Sequence, residues 1–242
     1  MGWVVVLTTG RHGSNGCGIL PAVATPPVHA VRQLKEHGEH PVWLVHRPGE
    51  EPRTLKTWSV TPIRLIQLGG GFARPQRQIA GARRLRRAGV PTPVICGSWR
   101  YARRDGLVIE LDHVYVEGRS ALELAKDPET PREDIRRISR GLGDIVAAMV
   151  AADLLNKDLK LNNVIVAADG VIWIIDTDGV RRVRSRVEGA TRMLERLGVQ
   201  LPIMGDRVCP AAWLPAIRRG LRSLTRQQRR EVVRLLRAHR RR

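Results

Sequence analysis

The spacing of apolar and polar positions changes several times along the chain, and each change marks an element. Three short alternating runs, 28–34, 41–46 and 53–58, predict β-strands. In the third, alternation places Thr54, Lys56 and Trp58 on one face. Gly69-Gly70-Gly71 then reads as a linker into a helix. From Gln76 the period becomes helical, with Ile79, Ala82 and Leu85 on one side and Gly89 and Pro91 just past the end, so a helix is expected over 76–88. Residues 94–99 and 106–111 are strand candidates, and 120–125 a short helix. Thr130-Pro131-Arg132-Glu133 reads as a capping box with Pro at the first helical position. Ile135, Ile138, Leu142, Ile145, Met149 and Ala152 follow at helical spacing and form one apolar stripe, expected in the core.

The most informative stretch is 156–181, NKDLKLNNVIVAADGVIWIIDTDGVR. Two β-branched runs, Val164-Ile165-Val166 and Val171 to Ile175, are split by a turn carrying Asp169-Gly170, which predicts a hairpin. A bare hairpin does not need acidic residues at both mouths. Here Asp158, Asn163 and Asp176 all fall at strand ends, where side chains from neighbouring strands can converge.

Asp158-x-x-x-x-Asn163, followed one hairpin later by Asp176, resembles the catalytic loop and metal-binding aspartate of the protein-kinase-like superfamily. Within it the chain is similar to the lipopolysaccharide kinases of the Kdo/WaaP group. The small size, the ending Ile175-Asp176-Thr177-Asp178 in place of D-F-G, and the segment Ala88-Gly89-Val90-Pro91-Thr92-Pro93 carry that likeness. It spans 28–180.

The resemblance implies an α+β, bilobal protein-kinase-like fold: a leader or flexible arm over 1–27, an N-lobe over 28–112 with an antiparallel sheet and one helix, and a C-lobe over 113–242, mainly helical, with the catalytic hairpin. It implies an ATP- and Mg²⁺-dependent phosphotransferase that moves the γ-phosphate to a hydroxyl, on a sugar of a lipopolysaccharide-like glycolipid or on another small molecule. In that scheme Asp158 accepts or orients the hydroxyl proton, and Lys160 neutralises charge on the moving group. Asn163 and Asp176 supply hard oxygen ligands to Mg²⁺, and Lys56 contacts the nucleotide phosphates. Gln78 stands where the family has a glutamate paired to that lysine, and Asn156 where it often has a histidine. The segment 35–40 takes the place of the phosphate-covering loop with only Gly38, and 110–118 resembles the hinge. Asp178 reads equally as a further ligand or as a turn residue before Gly179.

Composition narrows the setting. Apolar residues make up 43% of the 242, which fits a globular chain. No apolar run approaches the ~20 residues of a membrane span, and 1–7 lacks the basic start of a signal peptide. Cys17, Cys96 and Cys209 form no C-x-x-C, so neither a zinc site nor a disulfide framework is expected, and a reducing cytoplasm fits. The glycines at 10, 13, 16 and 18 lack a following Gly-Lys-Ser/Thr and read as part of the arm.

Net charge is +19, carried by 37 Arg and only 5 Lys. Such a field attracts polyanions, although a solvated basic surface has the same composition. Three of the five lysines, Lys56, Lys157 and Lys160, fall in or beside the candidate site. Thr225-Arg226-Gln227-Gln228 starts a last helix with Val232, Leu235 and Leu236 as a narrow apolar strip, and eleven arginines lie between 218 and 242. An anionic membrane surface at the cytoplasmic face is the expected partner, nucleic acid the lesser one. The competing classes are a non-catalytic kinase-like or basic binding module, with nucleic acid or protein as partner, and a protein Ser/Thr/Tyr kinase.

Overall fold

The computed structural model describes residues 29–35, 41–103, 106–198 and 213–239. The chain is mixed α+β: among the described residues there are seven α-helices and antiparallel sheets of five, three and two strands. The expected arm over 1–27, the expected phosphate-covering loop over 35–40 apart from Lys35, which ends the first strand, and Arg240-Arg241-Arg242 lie outside the described residues.

The five-stranded sheet holds β1 (Ala30–Lys35), β2 (Val42–Val45), β3 (Arg53–Ser59), β4 (Arg100–Arg103) and β5 (Leu107–Val114), in the order β1-β2-β3-β5-β4. β5 lies inside the sheet and is buried from Val108 to His113. One face carries Ile109 and Leu111, which pack with Trp58, Leu68 and Ala73. The other carries Glu110 and Asp112, and a buried carboxylate needs a charged partner. Arg100 donates to both, at 2.9 Å and 2.8 Å, and Arg47 donates to Asp112 at 3.1 Å. Burial pushes the Asp112 carboxyl up, but Arg100 and Arg47 outweigh it and hold it below the usual range.

The strand expected over 94–99 does not form. This segment meets β5 only through an isolated bridge between Ile95 and His113, flanked by Cys96 N–H to Asp112 O and Val114 N–H to Val94 O. Gly97, at φ +82°, ends the extended run, and β4 begins only at Arg100.

Two helices follow β3. α1 (Pro62–Gly69) occupies what reads in the sequence as connection. Thr61 caps it, its hydroxyl accepting from Arg64 N–H at 3.2 Å, and Pro62 opens it. α2 (Arg74–Arg87) starts two residues before the expected position, with the Gln76 side chain accepting from Ala73 N–H at 3.1 Å.

In the second half, β6 (Arg119–Ser120), β8 (Val164–Val166) and β9 (Ile172–Ile174) form the three-stranded sheet. The expected hairpin forms, with Val164 opposite Ile174. Asp169 Oδ1 accepts from Val171 N–H, and Gly170 takes φ +82°. β7 (Leu154–Asn156) and β10 (Val180–Arg182) pair as a two-stranded ribbon that local pattern does not announce.

The helices are α3 (Ala121–Lys126), α4 (Arg132–Ala151), α5 (Arg186–Gly198), α6 (Leu214–Gly220) and α7 (Arg226–His239). Of the α4 stripe, Ile135, Ile138, Leu142, Ile145 and Met149 are buried in the main core. Ala152 is exposed, because it is already the C-cap. The expected capping box is also absent: Pro131 is the N-cap of α4, without a side-chain bond. Thr225 and Gln228 do cap α7 reciprocally, at 3.0 Å and 3.3 Å. No helix among the described residues is long and apolar enough to cross a membrane.

Candidate functional site

Four elements carry the expected residues, and all of these but Lys160 are linked to one another by contacts or charge. β3 carries Lys56, α2 carries Gln78, the 156–163 loop carries Asp158, Lys160 and Asn163, and the segment after β9 carries Asp176 and Asp178.

Gln78 is the hub, buried between the others. Its Oε1 accepts from Lys56 Nζ at 3.3 Å, and its Nε2 donates to Asp176 Oδ1 at 2.6 Å. Lys56 Nζ also reaches Asp176 Oδ1 directly, at 3.0 Å. The result is one cation, one anion and a neutral amide whose two ends match them. A glutamate at 78 would set a second carboxylate at that short distance from Asp176, where the glutamine instead donates to it.

His113, on β5, completes the cluster. Its Nε2 lies 3.2 Å from Gln78 Oε1, an atom that can only accept, so Nε2 carries the proton. Lys56 and Asp176 fix which way the amide points, and the amide in turn sets the tautomer of His113. Burial first, then the Lys56 charge, press the His113 pKa down from 6.5 to about 3, so the ring is neutral. The folded state thus binds that proton less readily than the unfolded chain. Stability present above pH 6.5 is lost as pH falls toward the folded value. We expect chemical denaturation to show a stability decline beginning below pH ~6.5, and His113→Gln to flatten it. An equal slope in both proteins would remove His113 as the cause.

Backbone geometry sets the acids. Asp176 sits at φ +60°, in the left-handed region that short polar side chains tolerate best. Thr177 Oγ1 donates to Gln78 O at 2.8 Å, which ties the segment to α2. At Gly81 a Cβ would stand 1.9 Å from Thr177 O, so helix and segment touch backbone to backbone. Arg77, one turn earlier, lies 3.6 Å from Asp178. Burial raises the Asp178 pKa, and Asp176 and Asp158 raise it further, against the partial relief of Arg77 and Lys56. The three aspartates thus crowd one electronegative region.

The 156–163 loop is held from inside. Asn156, fully buried, accepts from Asp158 N–H at 2.9 Å through its Oδ1. Asn163 Nδ2 donates to Asp158 O at 2.9 Å, and Ile175 N–H donates to Asn163 O at 3.0 Å, joining loop to hairpin. With its amide nitrogen so engaged, Asn163 has its Oδ1 left as the atom suited to a cation. Gly179 passes over the loop: a Cβ there would come within 2.8 Å of Asp158 Oδ2. Lys160 is half-buried in the same loop.

Neither a scan of protein-family models nor a search of curated proteins returns a match to this chain.

Among the described residues no group of three or more His, Cys, Asp or Glu side chains is placed to hold a metal. Mg²⁺ does not require such a group: it favours one or two protein oxygens, with phosphate and water making up the rest. Asp176 and the Asn163 amide oxygen have the chemistry for it, and the charge crowding on Asp178 is what a divalent cation would relieve. Sequence reasoning missed His113, Arg77, Gly81 and the anchoring role of Asn156. In the sequence Asn156 reads only as standing where the family often has a histidine, and His113 falls beyond the strand expected over 106–111, which runs on to Val114.

Gln78→Leu should destabilise the protein by about 1–3 kcal/mol, since it strands partners of three hydrogen bonds. Thermal or urea unfolding will measure this, and a change below the error of the fit would show that the cluster is not held through Gln78.

Proposed function

We propose that the protein is an ATP-dependent phosphotransferase with a bilobal, kinase-like arrangement, an N-lobe over 28–112 and a C-lobe over 113–242. One observation carries the reading: Lys56 and Gln78, both remote from it in sequence, donate to Asp176 Oδ1 beside a loop in which Asn163 is hydrogen-bonded to the Asp158 carbonyl. A merely structural ion pair would not need the second acid, the loop amide and the electronegative crowding beside it.

In the proposed reaction Asp158 takes the proton of an acceptor hydroxyl as its oxygen bonds to the γ-phosphorus and the bond to the bridging oxygen breaks. Lys56 binds phosphate oxygens, and Lys160 offsets charge on the group in flight. Asp176 and Asn163 hold Mg²⁺, which when bound neutralises nucleotide phosphate charge. Positioning and charge supply most of the catalysis in such chemistry. A sugar hydroxyl of a lipopolysaccharide-like glycolipid is the acceptor class we propose, and a cytoplasmic place of action goes with the ATP requirement.

The test is transfer of labelled γ-phosphate from ATP to cell-envelope extracts. Loss of label with Asp158→Asn is expected, and no transfer by the wild type to any extract or small alcohol would reject the reading. Asp176→Ala should abolish the stabilisation that Mg-ATP gives in a thermal shift, since a ligand selective for the folded state must raise its stability. If Asp178→Ala abolishes it and Asp176→Ala does not, the two acids have exchanged roles. The neutral Gln78 favours one other reading, a nucleotide-binding module without turnover, which predicts the shift and no transfer.

A further inference from the structure

α1 is an unusual helix for a protein surface. Of its eight residues only Leu68 is buried. Ile63 is 70% exposed, Ile66 74% and Leu65 46%, and Phe72, just beyond the helix, is 56% exposed. Ile63 and Ile66 lie three apart, on one helical face. Four large apolar side chains within ten residues form a patch, not the scattered exposure normal on a surface.

The rim of the patch is basic. Arg64 donates to Ser59 O and is half-buried at the foot of α1. Arg77 donates to Phe72 O at 2.8 Å, which puts its guanidinium against the same corner, and Arg74 is exposed beside it. Residues 60–104 contain ten arginines and no Asp or Glu. An aqueous surface gains nothing from bare isoleucines inside such a field. A partner that offers anionic groups outside and hydrocarbon just beneath satisfies both features.

We infer that α1 and Phe72 dock the protein on an anionic lipid surface, with Ile63, Ile66 and Phe72 entering the headgroup–acyl boundary and the exposed Arg74, with the basic field around it, facing lipid phosphates. Short amphipathic elements bind membranes in this way, by apolar area plus attraction to anionic lipid. Nucleic acid fits less well: it offers phosphates and base faces, which suit arginine and aromatic rings but leave aliphatic side chains without a partner. The arginine face of α7, with Arg226, Arg230 and Arg234 exposed, adds long-range attraction but has no comparable apolar centre. The inference is independent of phosphotransfer: of the candidate site it touches only Arg77, at the rim of the patch, and its test varies no residue of that site.

Vesicle co-sedimentation of the full chain at physiological ionic strength tests it, with phosphatidylcholine vesicles containing or lacking phosphatidylglycerol. The wild type should sediment with the anionic vesicles and not with the neutral ones. Ile63→Ser/Ile66→Ser keeps the charge and touches no core residue, so circular dichroism and melting should be unchanged while the partition coefficient falls about tenfold or more. Ile63→Leu/Ile66→Leu should bind as the wild type does. Arg226→Gln/Arg230→Gln/Arg234→Gln should weaken binding less than the α1 serine variant. No wild-type binding to anionic vesicles, serine-variant binding equal to wild type, or a larger loss from the α7 variant would each overturn the inference. Displacement of the wild type from vesicles by duplex RNA at equal charge would assign the surface to nucleic acid instead.

Discussion

Asp158→Asn is expected to lower phosphate transfer by ~10²–10⁴ while leaving the fold and nucleotide binding intact, the usual worth of a positioned acid or base. The structure makes this substitution unusually clean. Both hydrogen bonds that anchor residue 158 use its backbone: its N–H donates to Asn156 Oδ1 and its carbonyl accepts from Asn163 Nδ2, each at 2.9 Å. An isosteric amide keeps both and loses only the carboxylate. A thermal shift with Mg-ATP should therefore match the wild type while labelled-phosphate transfer falls. Wild-type transfer by the variant would exclude Asp158 as the base. Loss of the nucleotide shift as well would mean that the carboxylate acts in binding.

Gly81→Ala is expected to be among the most damaging single-methyl additions in the protein. In an ordinary helix the change stabilises, by up to ~1 kcal/mol. Here the new Cβ would lie 1.9 Å from Thr177 O and 2.9 Å from Thr177 C, backbone atoms that cannot rotate away. α2 would have to withdraw from the 176–178 segment, to which it is bound by Thr177 Oγ1 to Gln78 O and by Arg84 to Val180 O. Overpacking of this kind costs about 1–3 kcal/mol and sometimes more, so the clash outweighs the propensity gain. Withdrawal also takes Gln78 from Lys56 and Asp176, so nucleotide binding should fall with stability. Gly69→Ala is the control: it lies in α1 with nothing within 4 Å of the added methyl, and it should be neutral or slightly stabilising. Equal effects at 69 and 81 would show that the close approach of α2 to Thr177 is not what matters.

Some features were legible because they are local. The 164–174 hairpin was readable from two β-branched runs and an Asp-Gly turn, and the α4 stripe from helical spacing. The α7 cap was readable from Thr225 and Gln228, whose partners are three residues apart. α1 left a legible signal too, Thr61-Pro62, but its apolar residues face solvent, so no buried stripe drew attention to it. The 94–99 segment failed for the opposite reason. Its composition is that of a strand, yet strand pairing depends on a neighbour, and Gly97 turns the chain after one bridge to β5.

The sequence by itself determined the residue types of the site and their order: a lysine on the third strand, an Asp-Asn loop after the long helix, and an aspartate closing the hairpin. Which of them meet was decided by tertiary structure. Lys56 and Asp176 are 120 positions apart, and Gln78 and Asp176 are 98 apart. No short-range rule of spacing reaches that far. His113 enters only because β5 lies beside β3 and faces α2, and Asn156 matters only because β10 pairs with β7 and brings Gly179 down onto Asp158. The charge logic is likewise tertiary. A glutamine at 78 reads as a loss beside a lysine alone, and as the matching group once Asp176 stands 2.6 Å away.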